Sequence, residues 1–345
     1  MTRATGARAA RPVDVRAIDL GRAPPLVAQA FCESVAVSVA RHEVPTTVLF
    51  ARPSRPYVSL GFHQSYDEEL DPRYLARHGL PVVRRVTGGG TTYLDPSQAF
   101  YEIVAAAEGS SAPGPEMFAR WLAAPLAALR SLGLPARLRA PSDLVVGDRK
   151  VSGNAGGVHE GARIVQGGLL GTADAAAMAG VLRAPGPGFR ALVRREMRRA
   201  LTSVAAERGR PLPSAELVRH LRAAFAALPS VRLRPGRPTP AEQRRFRSEV
   251  VPRHADPSWW RLPPVPRPAA GRVRAIRVAG PRWIEAWQRP DAEGLVYLVI
   301  DGAQIAQAYR PSTRGAGLLA LPRDDPAVRA VERARRAGEP APATA

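Results

Sequence analysis

Cysteine is nearly absent from this sequence: Cys32 is the only one in 345 residues. No intrachain disulfide can form, which suits a reducing compartment and predicts a cytoplasmic protein. Lysine is just as scarce. Of 50 basic residues, 49 are arginine and one, Lys150, is lysine. Aromatic residues make up only 6%, so a core must be assembled chiefly from Ala, Val and Leu. Apolar residues at 45% are enough to build one. No run of about 18 uncharged apolar residues occurs, so no membrane-spanning helix is predicted. The N-terminal segment carries Arg3, Arg8, Arg11 and Arg16 with no apolar stretch behind them. That pattern predicts no secretory signal.

What the chain has in abundance is positive charge, a formal +20. Such a field favours a polyanionic partner: a nucleic acid, a nucleotide or an acidic protein. A compositional bias towards arginine, proline and alanine accounts for the same number, and the composition favours this reading. Within that bias the single lysine is informative. An ammonium is a compact point charge and a guanidinium a wide planar fork, so a lone lysine among arginines marks a place where the fork does not serve. Its survival by chance is the competing reading, which the neighbouring motifs must decide.

Local signals give an α+β (α/β) chain. Residues 1–16 read as a disordered arm. Pro24-Pro25 precede a helix from Leu26 to His42, followed by strands at Thr46–Phe50 and Tyr57–Leu60. Asp71 is placed to N-cap a short helix with Pro72 at its first position and Gly79 at its end. Strand character returns at Pro81–Val86, Thr91–Tyr93 and Ala99–Val104. A helix opens at Gly114-Pro115 and closes at Gly133. Leu144–Val151 reads as a hairpin turning at Gly147-Asp148, and Arg163–Leu170 as a further strand. From Ala173 to about Val251 the sequence reads as helices broken by prolines. Residues 263–268 form a proline-rich linker. Beyond it, segments within 273–309 suggest a small sheet, and 336–345 a disordered tail.

Two motifs carry chemistry. Arg84-Arg85-Val86-Thr87-Gly88-Gly89-Gly90-Thr91-Thr92-Tyr93 puts three glycines behind a strand, where bare backbone can approach a ligand closely. Taken alone, such a triplet is more often a surface turn. No Gly-Lys-Ser/Thr follows, so it is not a nucleotide P-loop. The second motif is Ser142-Asp143-Leu144-Val145-Val146, then Lys150-Val151-Ser152-Gly153-Asn154-Ala155. A carboxylate before one strand and an ammonium just after its hairpin partner begins suit a metal nucleotide, with a solvated hairpin as the alternative.

Together and in this order, the motifs resemble the catalytic domain shared by lipoate–protein ligases and biotin ligases, the lipoate branch in particular. That family carries an Arg-Arg-x-Ser/Thr-Gly-Gly-Gly loop, an Asn-Asp element and Lys-x-x-Gly-x-Ala. Val58 to Gln64 is similar to its strand ending in Gly-x-x-Gln, and Asp256-Pro257-Ser258-Trp259 to its closing segment. The resemblance covers roughly residues 17–262. It implies a mixed sheet flanked by helices in that span; residues 271–335, beyond it, read from their own strand signals as a small C-terminal β-rich extension. This chain departs from the family at Ser142, at Gln166-Gly167-Gly168 where His-Gly-Thr is common, and at Tyr93-Leu94-Asp95.

The resemblance implies an ATP-dependent activation of lipoate, or octanoate, to the acyl-adenylate, then transfer to a lysine of an acceptor lipoyl domain. The acceptor would belong to a 2-oxoacid dehydrogenase or be a glycine cleavage H protein. Lys150 would be the catalytic cation. Arg84, Arg85, Thr87, Gly88, Gly89, Gly90, Tyr93, Gly153 and Ala155 would bind substrate and nucleotide, and Asp143 would hold Mg²⁺. Two other readings stay open. An acyltransferase of the same fold would draw on an acyl-carrier thioester, although no cysteine follows Cys32 to form an acyl-enzyme. A non-catalytic binding protein would owe its partner to charge, with nucleic acid the less favoured partner. His63 and His159 flank the expected cleft and are the histidines to test.

Overall fold

Alternation of apolar residues at period two builds the centre of the molecule. The computed structural model describes residues 12–107, 114–262, 272–288, 294–312 and 317–338. Its strands are β1 (Val13–Ala23), β2 (Thr47–Pro53), β3 (Tyr57–Leu60), β4 (Val82–Arg84), β5 (Thr92–Leu94), β6 (Ala99–Ala106), β7 (Ala136–Arg139), β8 (Asp143–Val146), β9 (Arg149–His159), β10 (Ala162–Leu169), β11 (Val231–Gly236), β12 (Arg272–Ala279), β13 (Arg282–Gln288), β14 (Leu295–Asp301), β15 (Gln304–Pro311) and β16 (Leu318–Leu321).

Eight strands form one mixed sheet in the order β11-β1-β2-β6-β10-β9-β8-β7. The β11–β1 and β1–β2 pairs are parallel and the others antiparallel. Both faces are covered, as expected for a sheet whose strands read as nearly continuous apolar runs. Val48, Phe50, Tyr101 and Ile103 face helices Pro115–Ser131 and Ser214–Ala226, meeting Trp121, Leu221 and Phe225. Leu49, Val104 and Ile164, one residue out of phase, face helix Pro25–Ala40 through Phe31, Val35 and Val39. Each fully buried Leu or Phe here contributes about 1.5–3 kcal/mol through area removed from water.

A small sheet, β4-β3-β5, sits beside the large one and carries the glycine loop between β4 and β5. Asp71 caps helix Pro72–Arg77 as its sequence predicts, accepting from the N–H groups of Arg73 and Tyr74. The C-terminal strands β12 to β16 form a five-stranded antiparallel meander.

The structure corrects several boundaries. Residues 13–16, expected in the disordered arm, belong to β1; residues 1–11 lie outside the described residues. The span read as purely helical contains β11, which pairs with β1 from Val13↔Val231 to Ile18↔Gly236. Arg336 to Gly338, expected in a disordered tail, end helix Pro326–Gly338, whose Val328 and Val331 pack on Val296 and Leu298. The rest of that expected tail and the expected linker lie outside the described residues.

The C-terminal sheet shares a core with the larger domain. Ile276, Val278, Ile284 and Tyr297 pack with Phe189, Leu192 and Val193 of helix Pro187–Ala200, and the Phe189 and Tyr297 rings meet edge to face at 5.3 Å. Arg274 pairs with Glu69 at 2.7 Å, and Arg282 with the fully buried Glu196 at 3.3 Å. An unpaired carboxylate at that depth would be costly, so Arg282 is part of what permits Glu196 there.

Candidate active site

The glycine loop is shaped by arginines that face inwards. Arg85 is almost wholly buried and spends all five of its N–H donors on the loop and its neighbour. Its Nε and Nη2 donate to the carbonyls of Gly88 and Gly90, the closest at 2.7 Å. Its Nη1 donates to the carbonyl and hydroxyl of Ser59. Burial pushes its pKa down to about 10. Arg84 is more deeply placed still. Its Nη1 donates to the carbonyls of Gly61, Phe62 and Gln64, and its Nη2 to that of Trp260. It therefore clamps the Gly61–Gln64 turn to the closing helix Pro257–Trp260, whose Trp259 indole donates back to the Arg84 carbonyl.

Gln64 completes the loop, its side-chain oxygen accepting from the Gly61 amide and the Thr91 hydroxyl, both at 3.0 Å. At Gly61 a Cβ would lie 1.9 Å from the Gly89 carbonyl oxygen, so only glycine fits. Gly89 itself sits at φ +87°, where a side chain is strained.

Facing this loop, β9 presents Lys150. Its Nζ lies 2.7 Å from Asp143 Oδ1. The other oxygen of Asp143 accepts from Arg139 at 3.1 Å and from the Gly280 amide at 3.2 Å. Burial pushes the Asp143 carboxyl up, but Lys150 and Arg139 outweigh it and hold the group below its ordinary value. Register between β8 and β9 shifts between Leu144↔Ser152 and Val145↔Lys150, leaving Val151 as a bulge residue. Because of it Lys150 and Gly153, three residues apart, turn to one side. A Cβ on Gly153 would lie 2.7 Å from Lys150 Cε and 2.8 Å from Nζ. The glycine of the Lys-x-x-Gly spacing makes room for the lysine.

Between the loop and β9 lies a cavity of about 220 Å³. Its apolar wall comes from Phe100, Leu94, Met178, Val181, Leu182 and Met197, and its polar end from Gln29, Gln98 and Gln166. Beneath Gln166 sits a dry polar cluster. Gln166 donates to the Gln29 carbonyl and to Glu102, and accepts from Thr87 at 2.7 Å. Burial pushes the Glu102 carboxyl well above its ordinary value, favouring the neutral acid.

Of the residues expected in the site, Lys150, Asp143, Arg85, Gly89, Gly90, Tyr93, Gly153 and Ala155 line this cavity. Arg84, Thr87 and Gly88 do not: Arg84 is a clamp, Thr87 is buried against Gln166, and the Gly88 amide is spent on the Gly156 carbonyl. His63 and His159 do not line it either; His63 stacks edge-on to Phe62. Sequence reasoning missed the polar end and, above all, Arg277, Val278 and Ala279 of β12, which close one side. The C-terminal strand gave no motif that could have revealed them.

Asp143, the residue expected to hold Mg²⁺, is the only carboxylate on the cavity wall among the described residues, and both its oxygens are engaged by cations or an amide. No three metal-binding side chains cluster anywhere among the described residues. This donor set forms no all-protein cage for a divalent cation; one carboxylate shared with nucleotide phosphates is the arrangement Asp143 would offer Mg²⁺, and no step below is routed through a metal.

The cavity thus sets one amine opposite a glycine loop, with a slot of apolar side chains beside it. Residues 24–226, more than half of the chain, match the model of the lipoyl protein ligase A/B catalytic domain, and the chain belongs to that family. Curated relatives include lipoate–protein ligases and octanoyltransferases, and the mixed sheet is shared with solved lipoate ligases. Among relatives, lipoate–protein ligase A subunit 1 of Thermoplasma acidophilum is 28% identical over 43% of this chain and 59% of its own length. The match thus spans little more than half of that relative. Octanoyltransferase LipM of Symbiobacterium thermophilum is 29% identical over 71% of this chain and 97% of its own length. Two solved structures share the fold. The bipartite lipoate protein ligase of Thermoplasma acidophilum, described with its E2 lipoyl domain, has a TM-score of 0.63 at 21% identity, covering 76% of this chain and 100% of its own. Lipoate–protein ligase A bound with ATP has a TM-score of 0.59 at 22% identity, covering 71% and 98%. No helix among the described residues is long and apolar enough to cross a membrane.

Proposed function

We propose that this enzyme activates lipoate or a related medium-chain acid with ATP and passes the acyl group to a lysine of a lipoyl domain. The observation that carries the reading is the Lys150 amine on the wall of a cavity that contains no thiol. Cys32 lies in the core behind Gln166, where burial pushes its pKa up and favours the thiol. A pocket without a thiol to form an acyl-thioester suits a substrate that arrives, or becomes, activated, and an acyl-adenylate meets that need. The ATP bound to one protein of this fold, and the lipoyl domain described with another, agree with the reading.

In the first step a carboxylate oxygen of the acid attacks the α-phosphorus of ATP. The bond from that phosphorus to the bridging oxygen breaks, and pyrophosphate leaves with the electron pair. Two anions must meet, so cation placement governs the barrier. An ammonium has three donors, and the bond to Asp143 uses one. The remaining two suit the carboxylate and the α-phosphate. The apolar wall takes the acyl chain, and the Gly89–Gly90 backbone lies against the mixed anhydride. In the second step the acceptor amine attacks the acyl carbon and AMP leaves.

The near-complete coverage of an octanoyltransferase favours a second reading, transfer from an acyl-carrier thioester without ATP. One experiment separates them. The protein is incubated with lipoate or octanoate and ATP, or with the acyl-carrier thioester alone, and pyrophosphate and acylated lipoyl domain are measured. Pyrophosphate release dependent on the acid supports the ligase; product from the thioester alone, with no pyrophosphate, overturns it.

A further inference from the structure

The lining of the cavity contains three cations among the described residues: Arg85, Lys150 and Arg277. The triphosphate of a nucleotide needs more positive charge than one lysine gives, so which of the others is free decides where it binds. Arg85 has no donor left, since its five N–H bonds hold Ser59, Gly88 and Gly90. Arg84 is outside the cavity and committed to four carbonyls. The Arg-Arg pair ahead of the glycine loop is therefore a fastening and offers nothing to an incoming anion.

Arg277 is different. Its Nε donates to the Gly280 carbonyl at 3.0 Å, and its guanidinium lies over the Trp283 ring at 5.9 Å. Both contacts orient the group, and its two terminal nitrogens carry no hydrogen bond among the described residues. A guanidinium held by one edge, with four donors open, is pre-set for bidentate binding to phosphate oxygens. It is also tied to the reacting centre by consecutive contacts. Arg277 bonds the Gly280 carbonyl, the Gly280 amide bonds Asp143, and Asp143 bonds Lys150. Gly280 stands at φ +52°, and a Cβ there would come 2.8 Å from the Arg139 guanidinium. The β12–β13 turn is thus fitted closely against the Asp143–Lys150 pair.

We infer that Arg277, supplied by the C-terminal sheet, binds the terminal phosphates of the nucleotide and the pyrophosphate that leaves. The inference rests on the ATP-dependent reading for its place in the reaction, although the anion site itself does not. A residue that holds the leaving group acts in adenylate formation alone. It has no task once pyrophosphate has gone.

The test compares wild type, Arg277→Ala and Arg277→Lys in three measurements. The first is acid-dependent pyrophosphate release, with KM for ATP. The second is acyl transfer to a lipoyl domain from chemically prepared acyl-adenylate. The third is binding of inorganic tripolyphosphate, followed by tryptophan fluorescence, since Trp283 lies under the guanidinium. Arg277→Ala is expected to lower kcat/KM for ATP on the order of 100-fold, to leave transfer from the preformed adenylate within about twofold of wild type, and to abolish tripolyphosphate binding. Arg277→Lys should recover part of the first and third. Unchanged tripolyphosphate binding in Arg277→Ala overturns the inference. So does an equal loss of both half-reactions, which marks a structural role. If wild type binds tripolyphosphate through Arg277 but releases no pyrophosphate with any acid, the ligase reading fails and the anion site stands.

Discussion

At the scale of a residue, the one lysine of a chain with 49 arginines lies across Gly153, where a Cβ would come 2.7 Å from its Cε. Lys150→Ala is expected to reduce adenylate formation on the order of 10²–10³-fold, as loss of a preorganised donor does. Lys150→Arg should not recover it, because a wide planar fork does not reproduce the compact point charge and three-way donors of the ammonium. Gly153→Ala leaves the lysine present and displaces it. Single-turnover rates should fall on the order of 100-fold, with circular dichroism and Tm near wild type. A Gly153→Ala enzyme as active as wild type would refute the steric argument.

Glu102 gives a prediction in the opposite sense. Its carboxyl titrates higher in the folded chain than in the unfolded one. Its contribution to stability is therefore intact below the unfolded value of about 4.3 and is eroded as pH rises from there towards the folded value. Glu102→Gln removes that erosion. Thermal melts of the variant should exceed wild type by a few degrees at pH 8 and converge with it near pH 4. A variant less stable at both pH values would contradict this assignment.

Among elements, those with strong local punctuation were legible. Pro24-Pro25, Asp71-Pro72 and Gly133 mark helix ends through capping and backbone chemistry that act within a few residues, and the structure has them there. The Gly147-Asp148 turn and the glycine loop were legible for the same reason. β1 and β11 were not. Their pairing joins Val13 to Val231, and neither strand carries a turn signal towards the other; only the tertiary fold makes them neighbours. The roles of Arg84 and Arg85 were misread because a sequence shows that a cation is present and not that its donors are already taken. The Asp143–Lys150 pairing was legible from the hairpin, whereas Arg139 and the Gly280 amide, which compete for the same carboxylate, arrive from another strand and another sheet. At this scale Gly280→Ala should strain the β12–β13 turn by about 1–2 kcal/mol and loosen Asp143. Lower Tm and slower adenylate formation should occur together.

For the whole molecule, the shared core joining Phe189 to Tyr297 and the buried Glu196–Arg282 pair imply a single cooperative unit. Calorimetry of the full chain should show one unfolding transition. A fragment ending at residue 262 should expose the apolar face of helix Pro187–Ala200, leave Glu196 without Arg282, and aggregate or melt earlier. Two resolved transitions, or a fragment as stable as the full chain, would overturn this. The larger domain and the last sheet are then inherited together, and the substrate pocket belongs to both.

The bulge at Val151 has a consequence for how this segment can change over time. Strict alternation would send the amine and the empty space beside it to opposite sides of the strand. Loss or gain of one residue between positions 150 and 153 would therefore invert the lysine while sparing every neighbouring side chain. Descendants of this gene should tolerate many substitutions along that stretch and scarcely any change in its length.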